Sequence, residues 1–163
     1  MARLPDRFDL WVRKAREQSD PKRQTDYVLG ALVAAKEWHF LNIGSKENPQ
    51  AAKTEIEGDP CILVFSSLDR LQELIEVSGA IKHVQKGDPL PAISIPSEAA
   101  LPWCAECHIG LLINPSDDAV MIPYEQLKDF HDEWKDRGDW KGTGFWIPNM
   151  TSEEEDFWQE HGL

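Results

Sequence analysis

A five-residue motif, C-A-E-C-H at residues 104–108, carries the most reactive side chains in the sequence. Its C-x-x-C-H form is the one used for covalent haem attachment, in which two thiols form thioether bonds and the histidine binds the iron. The same residues allow a redox dithiol, because thiols three residues apart share one side of a helix. They also allow a zinc site, in which Cys61 joins Cys104, Cys107 and His108.

Each of these interpretations lacks a companion feature. Haem attachment generally follows export, and no secretion signal is recognisable. A structural zinc site usually takes two pairs of ligands, and a thioredoxin-like dithiol follows the first strand of a βαβ unit, whereas this single pair comes late, beside Pro102. We therefore expect no cofactor and no metal at Cys104, Cys107 and His108, and we interpret the cysteines as small, buried apolar residues.

A second set of candidates is Ser66, Trp103 and Asn114. Ser66 follows an apolar strand and precedes a helix, where nucleophiles occur, but the G-x-S-x-G elbow is absent and a helix cap accounts for a hydroxyl there. With Trp103 and Asn114 it defines a candidate ligand pocket. The alternative function is accordingly a small ligand-, metal- or thiol-dependent enzyme or binder that uses the segment 104–108. No catalytic residue is assigned.

Five acidic residues near the end of the chain form a third candidate site. Glu125, Asp129, Asp132 and Asp136 are spaced four, three and four residues apart, so they share one helix face, with Glu133 at its edge. A solvated helix face accounts for this pattern. The functional interpretation is docking of a protein partner with a basic surface, and a neutraliser of a basic toxin is a special case.

The overall charge agrees with such a partner. The 163 residues carry a net charge of −12, which argues against binding of nucleic acid or of an anionic membrane surface. The first 24 residues instead carry seven basic and four acidic side chains. Since the acidic residues interrupt this segment, we interpret it as an amphipathic helix with Phe8, Trp11, Val12 and Ala15 inward. We expect a cytoplasmic protein with reduced thiols.

Apolar runs and turn residues predict the strands. Residues 61–65 and 109–113 form continuous apolar runs, which are typical of strands covered on both faces. Residues 38–43, 54–57 and 92–95 predict further strands, and residues 119–122 form a hairpin with the strand at 109–113.

Capping residues and periodicity predict the helices. One begins at the N-cap Thr25, one follows Ser66 and Asp69 and ends at Gly79, and one runs from Pro123 to Gly138. Pro102 breaks the helix that begins near Ser97. A last helix is capped by Thr151 with Glu154, and buries Phe157 and Trp158.

Together these elements predict a single domain over residues 1–163 of the α+β or α/β class. A mixed central sheet is flanked by four to five helices. The N-terminal helix covers residues 1–21, the core covers residues 22–137, and residues 138–163 form a helical C-terminal extension.

Parts of this order resemble a known family. The segment C-I-L-V-F-S-S at residues 61–67, followed by L-D-R-L, resembles the strand, Phe-Thr-Ser and helix of the SseB N-terminal domain family. The segment G-L-L-I-N-P-S at residues 110–116 resembles that family's strand ending in Asn-Pro-Gly, with Ser116 in place of the glycine. The resemblance covers roughly residues 22–137 and implies a compact α/β fold in a bacterial cytoplasm, with no catalytic residues to carry over.

The first hypothesis is therefore a non-enzymatic protein-interaction or regulatory module of SseB-like fold. It binds a basic partner through Glu125, Asp129, Asp132, Glu133 and Asp136.

Overall fold

A computed structural model describes residues 7–78, 91–115, 119–136 and 146–161. In these ranges the chain forms six helices and six strands, which confirms the predicted α+β class. In chain order they are α1 (Arg7–Arg16), α2 (Pro21–Ala34), β1 (Glu37–Leu41), β2 (Lys53–Ile56), β3 (Asp59–Val64), α3 (Leu68–Ser78), β4 (Ala92–Pro96), α4 (Ser97–Glu106), β5 (Gly110–Ile113), β6 (Val120–Ile122), α5 (Tyr124–Lys135) and α6 (Ser152–His161).

The strands form two sheets that two isolated bridges join, His39 with Phe65 and Asn42 with Ala51. Four strands lie in the order β2-β3-β5-β6, with β3 and β5 parallel and the other pairs antiparallel, and β1 pairs with β4. His39 and Phe65 each donate a backbone N–H to the other's carbonyl, at 3.1 and 2.8 Å, and so connect β1 to the end of β3. The predicted central sheet is thus mixed, and its two parts meet at these two bridges.

The parallel strands β3 and β5 lie at the centre of the fold. Ile62, Val64, Leu111 and Ile113 have no measurable exposure, as the apolar runs predicted. The cross-strand pair Leu63 and Leu112 is only half-buried, so the second face of these strands is covered less fully than expected.

Helices α1, α2, α4 and α5 enclose the main core. Phe8, Trp11, Val12 and Ala15 are all buried, so the predicted inward face of α1 is confirmed. Trp11 contacts the half-buried rings of Phe157 and Trp158 of α6, with ring centroids 4.8 and 5.6 Å away. The described part of the C-terminal segment therefore packs on the body of the protein.

A buried polar cluster fixes this segment to α2, and we call it the Arg23 cluster (Arg23, Asp26, Tyr27 and Glu154). The Arg23 guanidinium donates to the carbonyl of Pro148 at 2.5 Å and to Glu154 Oε1 at 2.5 Å. It also lies over the Tyr27 ring, 5.6 Å from the centroid, and the Tyr27 hydroxyl donates to Glu154 Oε2.

Charges and burial set the protonation of this cluster. Burial and the bond to Glu154 raise the pKa of Tyr27 to about 12. Burial acts to raise the pKa of Glu154, but hydrogen bonds from Tyr27, the Thr151 N–H and Arg23 outweigh burial and lower it. Burial raises the pKa of Asp26, although Lys22 and Arg23 act in the opposite direction.

Both hydrogen bonds of the predicted capping box at the start of α6 are present. The Glu154 N–H donates to Thr151 Oγ1 at 3.2 Å, and the Thr151 N–H donates to Glu154 Oε1 at 2.9 Å. This reciprocal capping box fixes where the helix begins.

Two predicted helix starts are wrong. Helix α2 begins at Pro21, because Asp20 accepts the Lys22 N–H at 3.1 Å and the proline favours the first turn, so Thr25 lies buried within the helix. Helix α3 is capped by Ser67, whose Oγ accepts the Arg70 N–H at 3.3 Å, and not by Ser66.

The predicted break at Pro102 is also wrong, because α4 runs unbroken from Ser97 to Glu106. A proline in this position removes the hydrogen bond to the carbonyl four residues earlier, that of Glu98. Glu98 is exposed and Pro102 half-buried, so the missing bond falls on the outer side of the helix. Ser97 does not cap α4, since its hydroxyl donates to the carbonyl of Ala35.

Three predicted boundaries, Gly79, Gly138 and the turn at residues 116–118, lie outside the described residues. Within the described ranges, no helix combines the length and the apolar composition needed to cross a bilayer.

Candidate functional site

The two ends of the parallel pair β3 and β5 carry most of the polar candidates. Ser66 and Asn114 follow the carboxyl ends of these strands, whereas Asp59 and His108 lie at their amino ends. Helix α5 begins beside the amino ends of these strands, and its acidic residues are exposed to solvent along the helix.

The structure brings Ser66 and Asn114 into direct contact at the carboxyl ends. Asn114 Oδ1 accepts the Ser66 N–H at 2.9 Å, and its Nδ2 donates to Ser66 Oγ at 3.0 Å. The Asn114 N–H donates to the carbonyl of Val64 at 2.8 Å. Asn114 is buried and adopts a left-handed backbone conformation with φ of +50°, so its polar groups join the two strand ends.

Trp103 is not among the described residues that line the depression next to Ser66. Its ring packs edge-on against Phe40, with centroids 5.4 Å apart, and remains 38% exposed on α4. The open depression next to Ser66 is lined by residues 35–37, His39 and residues 66–69, and includes neither Trp103 nor Asn114. Of the three residues predicted to form a pocket, this depression contains Ser66 alone.

Two of the three cysteines lie where burial disfavours a thiolate. Cys61 and Cys104 are fully buried, and burial raises the pKa of both thiols. Cys107 is half-buried, while His108 is exposed and bonds to Tyr124 instead. Among the described residues, no group of three or more histidine, cysteine, aspartate or glutamate side chains is arranged to hold a metal ion.

Helix α5 presents the predicted acidic residues on a rigid support. Leu127, Phe130 and Trp134 are buried on its inner side. Glu125, Asp129, Asp132 and Asp136 are exposed on the outer side, and we call these four the acidic face.

Ion pairs neutralise part of this helix. Lys128 Nζ lies 2.6 Å from Asp132, and the hydrogen bond from Lys128 is the main cause that lowers the pKa of Asp132. Glu133, at the edge, accepts Lys22 Nζ at 3.1 Å and so links α5 to α2. Glu125, Asp129 and Asp136 form no ion pair with any described residue.

A cleft of about 250 Å³, which sequence reasoning missed, lies at the amino ends of β3 and β5. We call it the amino-end cleft. Its polar wall consists of Asp59, His108, Tyr124 and Glu125. The remaining lining residues are apolar: Pro60, Ile109, Gly110, Met121 and Pro123.

A tyrosine–histidine pair forms one side of the cleft. The Tyr124 hydroxyl and His108 Nδ1 are 2.7 Å apart and share a hydrogen bond, and the ring centroids lie 5.2 Å apart with planes inclined at 54°. The bond holds the two rings in a fixed mutual orientation at the start of α5.

The backbone around His108 explains how this pair forms. His108 follows the last residues of α4 and adopts φ of +57°, a left-handed conformation that helices use to end and that favours glycine. Gly110 follows, and a Cβ there would lie 2.6 Å from the carbonyl of Ile122, so glycine lets β6 and the start of α5 approach. The sequence feature that could indicate this cleft is His108, but the C-x-x-C-H pattern groups that residue with the cysteines.

The chain matches no protein-family model, no curated protein and no solved structure. The resemblance to the SseB N-terminal domain family therefore stays a prediction from the sequence.

Proposed function

We propose that this protein is a non-enzymatic, cytoplasmic interaction module of SseB-like fold that binds a protein partner with a basic surface. The acidic face of α5 is the binding surface. The observation that carries the proposal is that Glu125, Asp129 and Asp136 are exposed in one row, with no ion pair to any described residue.

The rigidity of α5 supports this role. Its inner side is anchored by the buried residues Leu127, Phe130 and Trp134, so the backbone that carries the carboxylates is held against the core. The face extends over eleven helical steps from Glu125 to Asp136, which corresponds to about 16 Å at 1.5 Å per residue. It thus matches a row of basic side chains of similar length on a partner.

The charge of the whole chain supports the same partner. A net charge of −12 attracts basic proteins over a distance of about the Debye length and repels nucleic acids. Complementary charge accelerates association more than it adds affinity, so the interaction depends on salt concentration. Neutralisation of a basic toxin is the special case in which the partner's basic surface is also its active surface.

The test removes two charges from the acidic face without changing side-chain size. The variant is Asp129→Asn with Asp136→Asn, and the matched control is Glu47→Gln with Glu98→Gln, which removes two exposed charges elsewhere. Partners are captured from the native cell extract, identified and purified, and their affinities are measured at low and moderate salt.

We expect the Asp129/Asp136 variant to weaken binding by at least tenfold and the control by less than twofold. Equal affinities for the two variants contradict the proposal, as does binding that is insensitive to salt. Unchanged thermal unfolding of both variants shows that the loss arises at the surface.

A further inference from the structure

We propose that the amino-end cleft binds the guanidinium group of an arginine side chain on the basic partner. The inference rests on the proposed function, because it assigns an anchor point to the partner at the first residue of the acidic face. Glu125 belongs to both the face and the cleft, so an arginine bound there sits at the end of the row of carboxylates.

The charge of the cleft favours a cation. Asp59 and Glu125 line it, and no lysine or arginine does among the residues that the structure describes. In the described part of the chain neither carboxylate has an ion-pair partner, so an entering cation displaces none. The start of α5 also reaches the cleft, and its dipole places about half a positive charge there, which two full negative charges outweigh.

The aromatic side of the cleft favours a planar cation. Tyr124 and His108 are held 5.2 Å apart by their hydrogen bond, and both rings line the cleft. Guanidinium groups stack on aromatic faces and tolerate partial loss of water better than ammonium groups do. A guanidinium also has five N–H donors in a plane, so it can donate to more than one acceptor at once.

The size of the cleft matches one side chain. Its volume of about 250 Å³ lies below the range of roughly 300–1,000 Å³ typical of sites for drug-sized ligands. Pro60, Ile109 and Met121 offer apolar surface to the three methylene groups of an arginine.

The Arg23 cluster contains similar residue types, with a cation already bound among them. There an arginine lies over a tyrosine ring and donates to a buried glutamate, and Asp26 provides a second carboxylate 3.4 Å away. The amino-end cleft has a tyrosine and two carboxylates as well, but its cation has to come from another molecule.

The experiment titrates the full chain with Nα-acetyl-arginine amide and follows backbone amide signals by NMR. The neutral analogue Nα-acetyl-citrulline amide and the lysine analogue serve as comparison ligands. We expect saturable shifts centred on Asp59, His108, Gly110 and Tyr124 with the arginine compound, affinity at least threefold lower for lysine, and no saturable shifts with citrulline.

The variants locate the site. Asp59→Asn should weaken arginine binding at least threefold, and the matched control Glu47→Gln should change it less than 1.5-fold. Similar binding of arginine and citrulline, or unchanged arginine binding by Asp59→Asn, overturns the inference. The amide spectrum of each variant reports directly whether the fold is intact.

Binding of the purified partner separates this inference from the proposed function. If Asp129→Asn with Asp136→Asn weakens binding of the partner but Asp59→Asn does not, the acidic face is the binding surface and the cleft does not bind the partner's arginine. If the Asp129/Asp136 variant binds the partner as tightly as the wild type while Asp59→Asn weakens arginine binding, the proposed function is wrong and the cleft remains a guanidinium site.

Discussion

The Arg23 cluster and the amino-end cleft have similar composition but opposite environments. Each contains a tyrosine, two carboxylates and a basic side chain. In the Arg23 cluster the cation is Arg23, and its partners include Glu154, which is 6% exposed. In the cleft the basic residue is the exposed His108, and neither Asp59 nor Glu125 has an ion-pair partner among the described residues.

This difference separates polar groups that hold the fold from polar groups available to another molecule. A buried charge whose partner is lost costs several kcal/mol, whereas exposed charges contribute little to stability. Substitutions in the Arg23 cluster should therefore change stability, and substitutions in the cleft should change binding. The following substitutions test that division.

The largest effect is expected for Arg23→Leu. It leaves Glu154 buried without its cation and leaves the carbonyls of Pro148 and Asn149 without their donor. We expect the free energy of unfolding to fall by about 3 kcal/mol, measured by urea denaturation. A loss below about 1 kcal/mol means that the C-terminal segment is held mainly by Trp11 and its aromatic contacts.

The two tyrosines give a matched pair. Tyr27→Phe removes a buried hydroxyl that donates to Glu154, and we expect a loss of about 2 kcal/mol. Tyr124→Phe removes an accessible bond to His108, and we expect a change within about 0.5 kcal/mol. Thermal or urea unfolding of both variants checks the pair, and equal losses contradict the division.

The pH dependence of stability gives a third test within the Arg23 cluster. The pKa of Glu154 is lowered in the folded state, so its contribution is present above its ordinary value of 4.5 and is lost as pH falls through the folded value. We expect the stability difference between the wild type and Glu154→Gln to shrink as pH falls from 6 to 3, measured by urea denaturation at each pH.

Asp26 provides a control whose contribution to stability changes with pH in the opposite direction. Burial raises the pKa of Asp26, so its contribution is present below 3.8 and is lost as pH rises through the folded value. The difference between the wild type and Asp26→Asn should therefore change with pH in the opposite direction. Parallel pH profiles for the two variants contradict this assignment of charges.

Local sequence signals predicted the elements well, whereas contacts between distant residues escaped them. The Thr151–Glu154 capping box and the apolar runs of β3 and β5 depend only on neighbouring residues, and they were predictable. The bond between Arg23 and Glu154 joins residues 131 positions apart, and no periodic pattern encodes it.

The amino-end cleft could not be predicted for a related reason. The C-x-x-C-H motif is continuous in sequence, but α4 buries Cys104 and ends before His108, which bonds to Tyr124. The helix starts at Thr25 and Ser66 were misplaced because neighbouring residues compete as caps, and Asp20 with Pro21, and Ser67, fit the backbone better. Only the fold decides between such neighbours.

The smallest stability effect is expected at His108. His108 and Asn114 both adopt left-handed backbone conformations, with φ of +57° and +50°, where glycine relieves a cost of about 1 kcal/mol. Asn114→Gly also removes two side-chain bonds to Ser66, so we expect a net loss of about 1 to 2 kcal/mol. His108→Gly removes an accessible hydrogen bond and the exposed ring contact with Tyr124, so we expect no loss and a gain of up to about 1 kcal/mol.

A stabilising His108→Gly substitution that also weakens binding of Nα-acetyl-arginine amide would show that the histidine is kept for the cleft at the expense of the fold. Urea denaturation and the NMR titration of the same variant measure both quantities. A loss of more than 1 kcal/mol would instead place His108 with Asn114, as a residue whose side chain holds the end of a strand.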